Sequence, residues 1–334
     1  MILLTLGVTP SRADPIADFY KGKTINMIVG GSVGGGYDVL GRTIAQFIGR
    51  HIPGNPSVVA RNMPGAGGML AMNYMFNSAE QDGTVIGVVQ SNTPLEPLFG
   101  TKEARYDAAK FAWLGTPSVE IAVVLVWNTV PVNSVEDLKT KETTMGVSGT
   151  QSTQAFLGRL MNATIGTKMK LVHGYKGLND TFLAMERGEL DGYPGVYYSA
   201  LSSTRPKWLP DKLAKAILQI GPDKQPELTN VPSAIDFVSD PNDRQLVQAA
   251  VATQALGRPL VMTPGVPLER VTAMRRALAE TFVDRDFQAA AKKIGLVVNS
   301  PRTGQQLQDV ITNAYASPPG VIDRLRKLSN PGDH

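Results

Sequence analysis

The sequence predicts an α/β protein built from two lobes. Its 334 residues correspond to about two domains of roughly 150 residues each. Short apolar segments typical of strands alternate with amphipathic segments typical of helices, and this alternation starts twice along the chain. Glycine-rich loops connect several of these strands to the helices that follow. Such alternation is typical of parallel α/β sheets, whose ligands bind at the carboxyl ends of the strands.

The first lobe is predicted to begin with three strands, each followed by a polar or glycine-rich loop. Helices follow the first two loops, because apolar residues recur there at helical spacing. A turn at Asp82 and Gly83 leads into the third strand. The predicted strands are 24–29, 57–60 and 84–89, and the loops after them are 30–38, 61–68 and 90–92.

The second lobe repeats this pattern, and the chain then returns as helices. Ser134 is expected to cap one helix, and Asn179 or Asp180 to cap another that stops at Gly188. The predicted strands are 121–127, 144–147, 170–173 and 190–193. After a further strand, 260–262, helices are predicted over 267–282, 287–294 and 305–315.

The composition is that of a globular protein. Hydrophobic residues make up 43% and charged residues 19% of the chain, which excludes a disordered polyelectrolyte and a polytopic membrane protein. The net charge is +4, but the lysines and arginines are scattered, so we expect no nucleic-acid partner. There is no cysteine, which excludes disulfides, thiolate metal sites and a cysteine nucleophile.

Residues 1–13 are similar to the end of a secretory signal peptide. An apolar stretch from Ile2 to Val8 precedes a small-x-small pattern at Ser11 to Ala13. A basic segment before the apolar stretch is missing, which we interpret as a start assigned too far downstream. We therefore expect cleavage near Ala13 and a mature protein in the periplasm of a Gram-negative bacterium.

The glycine loops are predicted to bind an anion. Because glycine has no Cβ, successive backbone N–H groups can approach a ligand, and the following helix adds the positive end of its dipole. Two such loops in the first lobe and residues 148–152 in the second would surround one acidic ligand with donors. The alternative is that they are only tight turns, but three loops at equivalent positions favour binding. Asp38 is predicted to be a helix N-cap rather than a catalytic acid.

A serine hydrolase is the alternative function. Gly30 to Gly34 fits the pattern G-x-S-x-G, with Ser32 in the nucleophile position between a strand and a helix. The base would have to be His173, because His51 ends a predicted helix and His334 ends the chain. The glycines that follow the motif are more typical of a flexible binding loop.

No cofactor or metal is expected. The dinucleotide fingerprint G-x-G-x-x-G fails, because Val39 stands where the third glycine would follow Gly34 and Gly36. The three histidines are far apart, which argues against a zinc site, and the acidic residues form no calcium-loop pattern. These negative results favour binding over catalysis.

Several short sequence runs resemble one family. They are Arg61-Asn62-x-Pro64-Gly65-Ala66-Gly67-Gly68, Asp82-Gly83-Thr84, Gly146-Val147-Ser148-Gly149, His173-Gly174-Tyr175-Lys176-Gly177 and Asn230-Val231-Pro232-Ser233. With the glycine loop that ends at Asp38, they make the chain similar to the substrate-binding proteins of tripartite tricarboxylate transporters, also called Bug proteins. The resemblance extends from about Phe19 to Asn299.

This resemblance implies a type II periplasmic binding protein fold, in which two α/β lobes joined by a hinge close on a ligand in the cleft between them. It also implies that the protein is no enzyme but captures a small carboxylate and delivers it to the membrane permease subunits of the transporter. We expect a monomer, with lobe 1 formed by 14–118 and 253–334 and lobe 2 by 119–252. Aromatic, di- and tricarboxylates all stay open as ligands.

The ligand-binding positions of the family carry over by motif. Family members bind one carboxylate of the ligand through backbone groups and ordered water in the first-lobe loops. With the polar end of the third strand included, the predicted ligand-binding residues are Gly34, Gly35, Gly36, Tyr37, Asp38, Pro64, Gly65, Ala66, Gly67, Ser91, Asn92, Ser148, Gly149, Thr150, Ser152 and Tyr175. Arg61 stands where a glutamate is usual, Gly174 replaces a common proline, and the segment 53–56 is extra; these departures bear on ligand identity.

Overall fold

Two β-sheets, each covered by helices on both faces, form the part of the chain that the computed structural model describes, residues 14–150, 152–175 and 177–329. The predicted α/β fold with two lobes is confirmed. The first sheet contains β1 (Thr24–Val29), β2 (Ser57–Asn62), β3 (Val85–Val88), β4 (Ala112–Thr116), β10 (Leu260–Met262) and β11 (Arg302–Thr303). The second contains β5 (Ala122–Trp127), β6 (Thr143–Val147), β7 (Met169–His173), β8 (Gly192–Tyr197) and β9 (Ala214–Ile220). Residues 1–13, predicted as the end of a signal peptide, lie outside the described residues.

Both sheets are mixed rather than parallel, which corrects the expectation from the sequence. The strand order is β11-β4-β10-β3-β1-β2 in the first sheet and β7-β6-β8-β5-β9 in the second. β5 and β10, each the first strand after the chain crosses between the sheets, run antiparallel to their neighbours. Their first residues pair with the last residues of other strands, Ala122 with Tyr197 and Leu260 with Val88. The crossings therefore join the carboxyl-terminal edges of the two sheets.

The short first crossing keeps these two edges close together. Only residues 117–121 separate β4 from β5. An extended chain of this length spans at most about 20 Å. The carboxyl-terminal edges of the sheets therefore face each other across a narrow cleft.

Helices cover both faces of each sheet, and buried apolar side chains lie between the layers. Leu40 and Leu278 pack on one face of the first sheet, Met72 and Ile311 on the other. The helices of the first lobe are α1 (Pro15–Tyr20), α2 (Gly36–Ile48), α3 (Met69–Asn77), α9 (Ala252–Leu256), α10 (Leu268–Val283), α11 (Arg285–Lys293) and α12 (Gly304–Tyr315). Those around the second sheet are α4 (Val135–Thr140), α5 (Thr153–Ile165), α6 (Leu178–Glu186), α7 (Tyr198–Thr204), α8 (Pro241–Ala250) and α13 (Pro319–Ser329).

Local cap chemistry was predicted correctly at one helix and wrongly at another. Ser134 caps α4, because its hydroxyl accepts a hydrogen bond from the N–H of Asp137 at 3.1 Å. The cap predicted at Asn179 or Asp180 is wrong: α6 begins at Leu178, and the residue at the cap position is Gly177, which offers no side-chain cap. An extended glycine at this position places both polar residues inside the first turn.

The last helix, α13, packs against two helices that cover the second sheet, α5 and α8. Val321 and Leu325 are buried in the same apolar core as residues of α5 and α8. The sequence-based boundary assigned this segment to lobe 1, whereas its packing ties it to lobe 2. The amphipathic pattern of a terminal helix does not predict which lobe the helix covers. The other boundaries of the two lobes stay a prediction.

The two crossings between the sheets contact each other closely. The N–H of Glu120 donates to the carbonyl of Gln254 at 3.1 Å, and the N–H of Arg258 donates to the hydroxyl of Thr116 at 3.0 Å. Gly257 has φ +60°, and a Cβ placed on it would lie 2.0 Å from the carbonyl oxygen of Ser118. The close approach of the two crossings therefore requires glycine at position 257.

We expect Gly257→Ala to lower the free energy of unfolding by about 3 kcal/mol or more, because it combines backbone strain with a steric overlap. Gly166→Ala is the matched control: Gly166 also has positive φ, +75°, but nothing lies within 4 Å of its Cβ position. The control should lose only about 1–2 kcal/mol from backbone strain. Urea denaturation of both variants measures the difference, and equal losses would contradict the close approach of the crossings.

Candidate functional site

Three loops of the first lobe meet at one edge of its sheet. β3, β1 and β2 are adjacent and parallel, so the loops that follow them lie at the same carboxyl-terminal edge. These loops contain the predicted residues from Gly34 to Asp38, from Pro64 to Gly67, and Ser91 with Asn92. The structure therefore brings together all first-lobe residues predicted to bind ligand; their role in binding stays a prediction.

Hydrogen bonds fix the three loops relative to one another. The side-chain amide of Gln90 donates to the carbonyl of Gly30 at 2.8 Å, which joins the third loop to the first. The amide of Asn62 donates to the carbonyl of Gly31 at 3.0 Å, which joins the second loop's strand to the first loop. The N–H of Ser91 donates to the hydroxyl of Tyr37 at 3.2 Å. The edge is thus a preorganised surface rather than three independent turns.

Asp38 holds the first loop in place from inside the protein. The prediction that it is an N-cap is wrong, because Gly35 occupies that position and Asp38 is the third residue of α2. Its carboxylate, only 3% exposed, accepts hydrogen bonds from the N–H of Gly34 at 2.8 Å and the amide of Asn62 at 2.9 Å, and pairs with Arg42 at 2.8 Å. Its carboxylate therefore connects the start of α2 both to the first loop and to the end of β2.

The electrostatics of Asp38 favour its charged form. Burial by itself would raise the pKa of this carboxyl, but the hydrogen bonds from Gly34, Arg42 and Asn62 and the positive charge of Arg42 outweigh it. The pKa of Asp38 is therefore lowered from its ordinary value of 3.8. Arg42 pairs with this anion, which reduces its repulsion of a second anion at the loop.

The second loop has an unusual backbone. Gly65, Ala66, Gly67 and Gly68 all have positive φ, at 144°, 46°, 61° and 96°. Ala66 is the one non-glycine residue in this run, and such a conformation is strained for a residue with a side chain. The loop turns its peptide groups in directions that an ordinary turn does not allow, which is consistent with the expected approach of backbone N–H groups to a ligand.

Arg258 is a candidate site residue that the sequence analysis missed. Its guanidinium lies against the start of α2, where a Cβ on Gly36 would be 3.3 Å from Nη2 and 3.4 Å from Cζ. Among the described residues it forms no ion pair, and the N–H groups of Gly36 and Tyr37 have no acceptor. A half-buried cation beside free helix N–H groups is suited to bind an anion. Arg258 has no motif around it, so only its position in the fold reveals it.

Glu120 lies close to this cation in the first crossing. Burial raises the pKa of its carboxyl, while a hydrogen bond from the hydroxyl of Ser199 at 2.8 Å and the charge of Arg258 oppose that effect. Arg258 and Glu120 are too far apart for an ion pair, which requires 4.0 Å or less. Glu120 therefore modulates the field near Arg258 without neutralising it by contact.

The predicted residues of the second lobe lie at the carboxyl-terminal edge of its sheet. Ser148, Gly149 and Thr150 follow β6, and Ser152 caps α5 by accepting from the N–H of Ala155 at 3.3 Å. Tyr175 follows β7, and its ring lies beside Gly146. Their described contacts are within their own lobe, so whether they reach a ligand held by lobe 1 stays a prediction.

A cavity of about 580 Å³ lies between the lobes, next to the third loop; we call it the interlobe cavity. Ser91 and Asn92 border it from lobe 1, and Thr153 and Tyr197 border it from lobe 2. Burial, followed by the charges of Glu120 and Tyr37, raises the pKa of Tyr197. The cavity thus begins where the loops of the first sheet end. Its volume is in the range of small-molecule sites.

Within residues 14–150, 152–175 and 177–329, no group of three or more acidic or histidine side chains is placed to hold a metal ion. None of the described helices combines the length and hydrophobicity needed to cross a bilayer.

We expect Asp38→Asn to lower the free energy of unfolding at pH 7 by about 1–3 kcal/mol, because an amide turns a donor toward the donors of Asn62 and Arg42. The pKa of Asp38 is lowered in the folded state, so its charge stabilises the fold above the unfolded-state pKa, and this contribution is lost as pH falls through the folded-state pKa. The stability gap between wild type and variant should therefore be full above about pH 5 and shrink in more acidic solution. Urea denaturation across this pH range measures it.

The matched control for this prediction is Asp18→Asn, which changes an exposed aspartate on α1. The control should leave the free energy of unfolding nearly unchanged at every pH. A gap between wild type and Asp38→Asn that stays constant on acidification would contradict the assigned role of the buried carboxylate.

Comparison with known proteins agrees with this geometry. A sequence model of the NMT1-like family matches residues 28–297. No curated protein sequence matches the chain. Among solved structures, the chain is similar to a TctC solute-binding protein from Polaromonas, with TM-score 0.72 and 19% identity, covering 91% of this chain and 99% of that one.

Two further similar structures were solved with ligands. One is an R. palustris protein with adipate, at TM-score 0.58, 19% identity and coverage of 92% of this chain and 97% of that one. The other is MatC from Rhodopseudomonas palustris with bound malate, at TM-score 0.55, 17% identity and coverage of 92% and 99%. The shared fold agrees with the two-lobed α/β architecture predicted from the sequence. Because the matched residues 28–297 make up most of the sequence, the chain belongs to the NMT1-like family.

Proposed function

We propose that this protein is a periplasmic solute-binding protein that captures a small carboxylate and delivers it to the permease subunits of a tripartite tricarboxylate transporter. One observation carries the proposal. The Arg258 guanidinium, which forms no ion pair among the described residues, lies beside the free N–H groups at the start of α2. Both are cationic or donor groups, and both lie at the sheet edge that faces the second lobe. The similar structures solved with adipate and malate support a carboxylate as the ligand.

The binding energy can come from a small number of contacts. A hydrogen bond to a charged acceptor contributes about 1.5–3 kcal/mol, so two backbone N–H groups and one guanidinium contribute about 4.5–9 kcal/mol, and the upper end of this range corresponds to micromolar affinity. The free carboxylate would be held by fixed donors in a partly desolvated cleft. The protein would act as a monomer. Closure of the second lobe over the ligand, by bending at the two crossings, would then exclude water from it.

The same site argues against the hydrolase alternative. Among the described residues, no histidine is hydrogen-bonded to the hydroxyl of Ser32. His51 pairs instead with Asp284 at 2.8 Å, and His173 is exposed at the end of β7 in the other lobe. A serine without a general base is a weak nucleophile. We therefore propose binding without turnover.

The proposal predicts that a small carboxylate raises the melting temperature of the protein, because a ligand that binds only the folded state stabilises it. A thermal-shift screen of mono-, di- and tricarboxylates measures this, with the matching alcohols and amides as uncharged controls. Small-angle scattering with the best ligand should show a smaller radius of gyration. Absence of stabilisation by every organic acid, or covalent labelling of Ser32 by a fluorophosphonate, would contradict the proposal.

We expect Arg258→Gln to weaken binding of the best carboxylate from that screen at least about tenfold, because the loss of one charge-assisted hydrogen bond costs about 1.5–3 kcal/mol. Titration calorimetry measures the affinity. Arg285→Gln is the matched control, since it removes the same charge from an exposed position on α11. The control should bind normally, and unchanged affinity in a folded Arg258→Gln variant would exclude Arg258 from the site.

A further inference from the structure

An ion pair joins the two lobes. The guanidinium of Arg302, the first residue of β11 in lobe 1, pairs with the carboxylate of Asp223, which follows β9 in lobe 2. Every other ion pair among the described residues lies within one lobe, with α13 counted in lobe 2. The contact between Arg302 and Asp223 therefore depends on how the two lobes are placed relative to each other.

The strand order places this ion pair on the far side of the crossings from the candidate site. In the first sheet, β3, β1 and β2 lie on one side of β10, and β4 and β11 on the other. In the second sheet, β8, β6 and β7 lie on one side of β5, and β9 on the other. Arg302 pairs with Thr116 at the end of β4, and Ala122 at the start of β5 pairs with Ile220 at the end of β9. The two crossings thus separate Arg302 and Asp223 from the loops predicted to bind the ligand.

The lobes are not tightly packed beside this ion pair. A second cavity, of about 490 Å³, lies there; we call it the rear cavity. Gln248 of α8 borders it from lobe 2 and Asn313 of α12 from lobe 1, together with both partners of the ion pair. Arg302 and Asp223 therefore span a gap between the lobes, and the width of this gap can change when the lobes move.

Closure moves the two sides of the crossings in opposite directions. A hinge motion about the crossings brings the loops after β1 and β6 together, and groups beyond the crossings then move apart. Arg302 and Asp223 lie beyond the crossings, so closure lengthens their contact. The attraction between the two charges therefore opposes closure.

The exposure of the two side chains limits the size of this effect. The side chain of Arg302 is 19% exposed and that of Asp223 is 54% exposed. Ion pairs that water reaches contribute little, so this one can shift the equilibrium between open and closed forms but cannot prevent closure. A ligand that binds the closed form then has an apparent affinity reduced in proportion to the population of that form.

We propose that Arg302 and Asp223 form a clamp that favours the open form and thereby limits the affinity for the ligand. The statement on affinity rests on the proposed function, whereas the effect of the clamp on the two lobes requires no ligand. The clamp would make two residues outside the candidate site regulators of that site.

The first test measures the separation of the lobes without ligand. Because the chain has no cysteine, Ser57→Cys on β2 and Lys170→Cys on β7 give two specific positions for spin labels, on the outermost strands of the side that closes. Double electron–electron resonance measures the distance between the labels. In Asp223→Ala this distance should shift to shorter values, because the open form loses the clamp. Arg302→Gln should give the same shift, and the double variant should give no further shift.

The second test measures affinity on unlabelled protein. Titration calorimetry with the best carboxylate from the thermal-shift screen should show about two- to fivefold tighter binding to Asp223→Ala than to the wild type. Glu186→Ala is the matched control, because it removes an ion pair with Arg205 at 3.2 Å that lies within lobe 2. The control should change neither the label distance nor the affinity, and melting curves must show that all variants are folded.

Two results would overturn the inference: a label distance that stays unchanged or becomes longer in Asp223→Ala, or carboxylate binding that becomes no tighter. Failure of the proposed function is distinguishable from both. If no carboxylate binds the wild type, the proposed function fails, and the label distances alone decide whether the ion pair opposes closure.

Discussion

The buried carboxylate of Asp38 is the contact on which the organisation of the site depends. It accepts from the N–H of Gly34 in the first loop, from Asn62 at the end of β2 and from Arg42 one turn further along α2. One side chain thereby fixes the first loop, the strand before the second loop and the start of the helix relative to one another. Removing its acceptors would leave buried donors unpaired on all three, which is more costly than the loss of an exposed ion pair.

The charges at the cleft follow from the same arrangement. Arg42 pairs with Asp38 from within lobe 1, so the field at the start of α2 comes mainly from the helix N–H groups and from Arg258, with Glu120 close to that cation. Glu120, in the first crossing, lies close enough to Arg258 for their charges to interact, but the two form no ion pair. The start of α2 therefore presents backbone donors and a cation at the same edge of the cleft.

Much of the fold could be predicted from local patterns. The strand 24–29 and the strand 260–262 match the structure residue for residue, because apolar runs bounded by glycine or proline carry a strong local signal. The predicted loops also lie at the carboxyl-terminal edges, because that placement follows from parallel pairing alone. The antiparallel β5 and β10 and the docking of α13 on lobe 2 were not predictable, since they depend on how the chain crosses between sheets.

Local sequence patterns are sufficient to predict the two-lobed α/β architecture and the glycine loops at the edge of the first sheet. Periodicity and glycine placement are local properties, so they act before any long-range contact forms. Two contacts follow only from the folded chain: the buried carboxylate of Asp38 accepts from the N–H of Gly34 and the amide of Asn62, and Arg258, more than 200 residues along the chain, lies against Gly36. The same holds for Glu96 and α13, which border one cavity although they are far apart in sequence. Pairing of charges depends on distance in space, and that distance is set when the crossings bring the two sheet edges together.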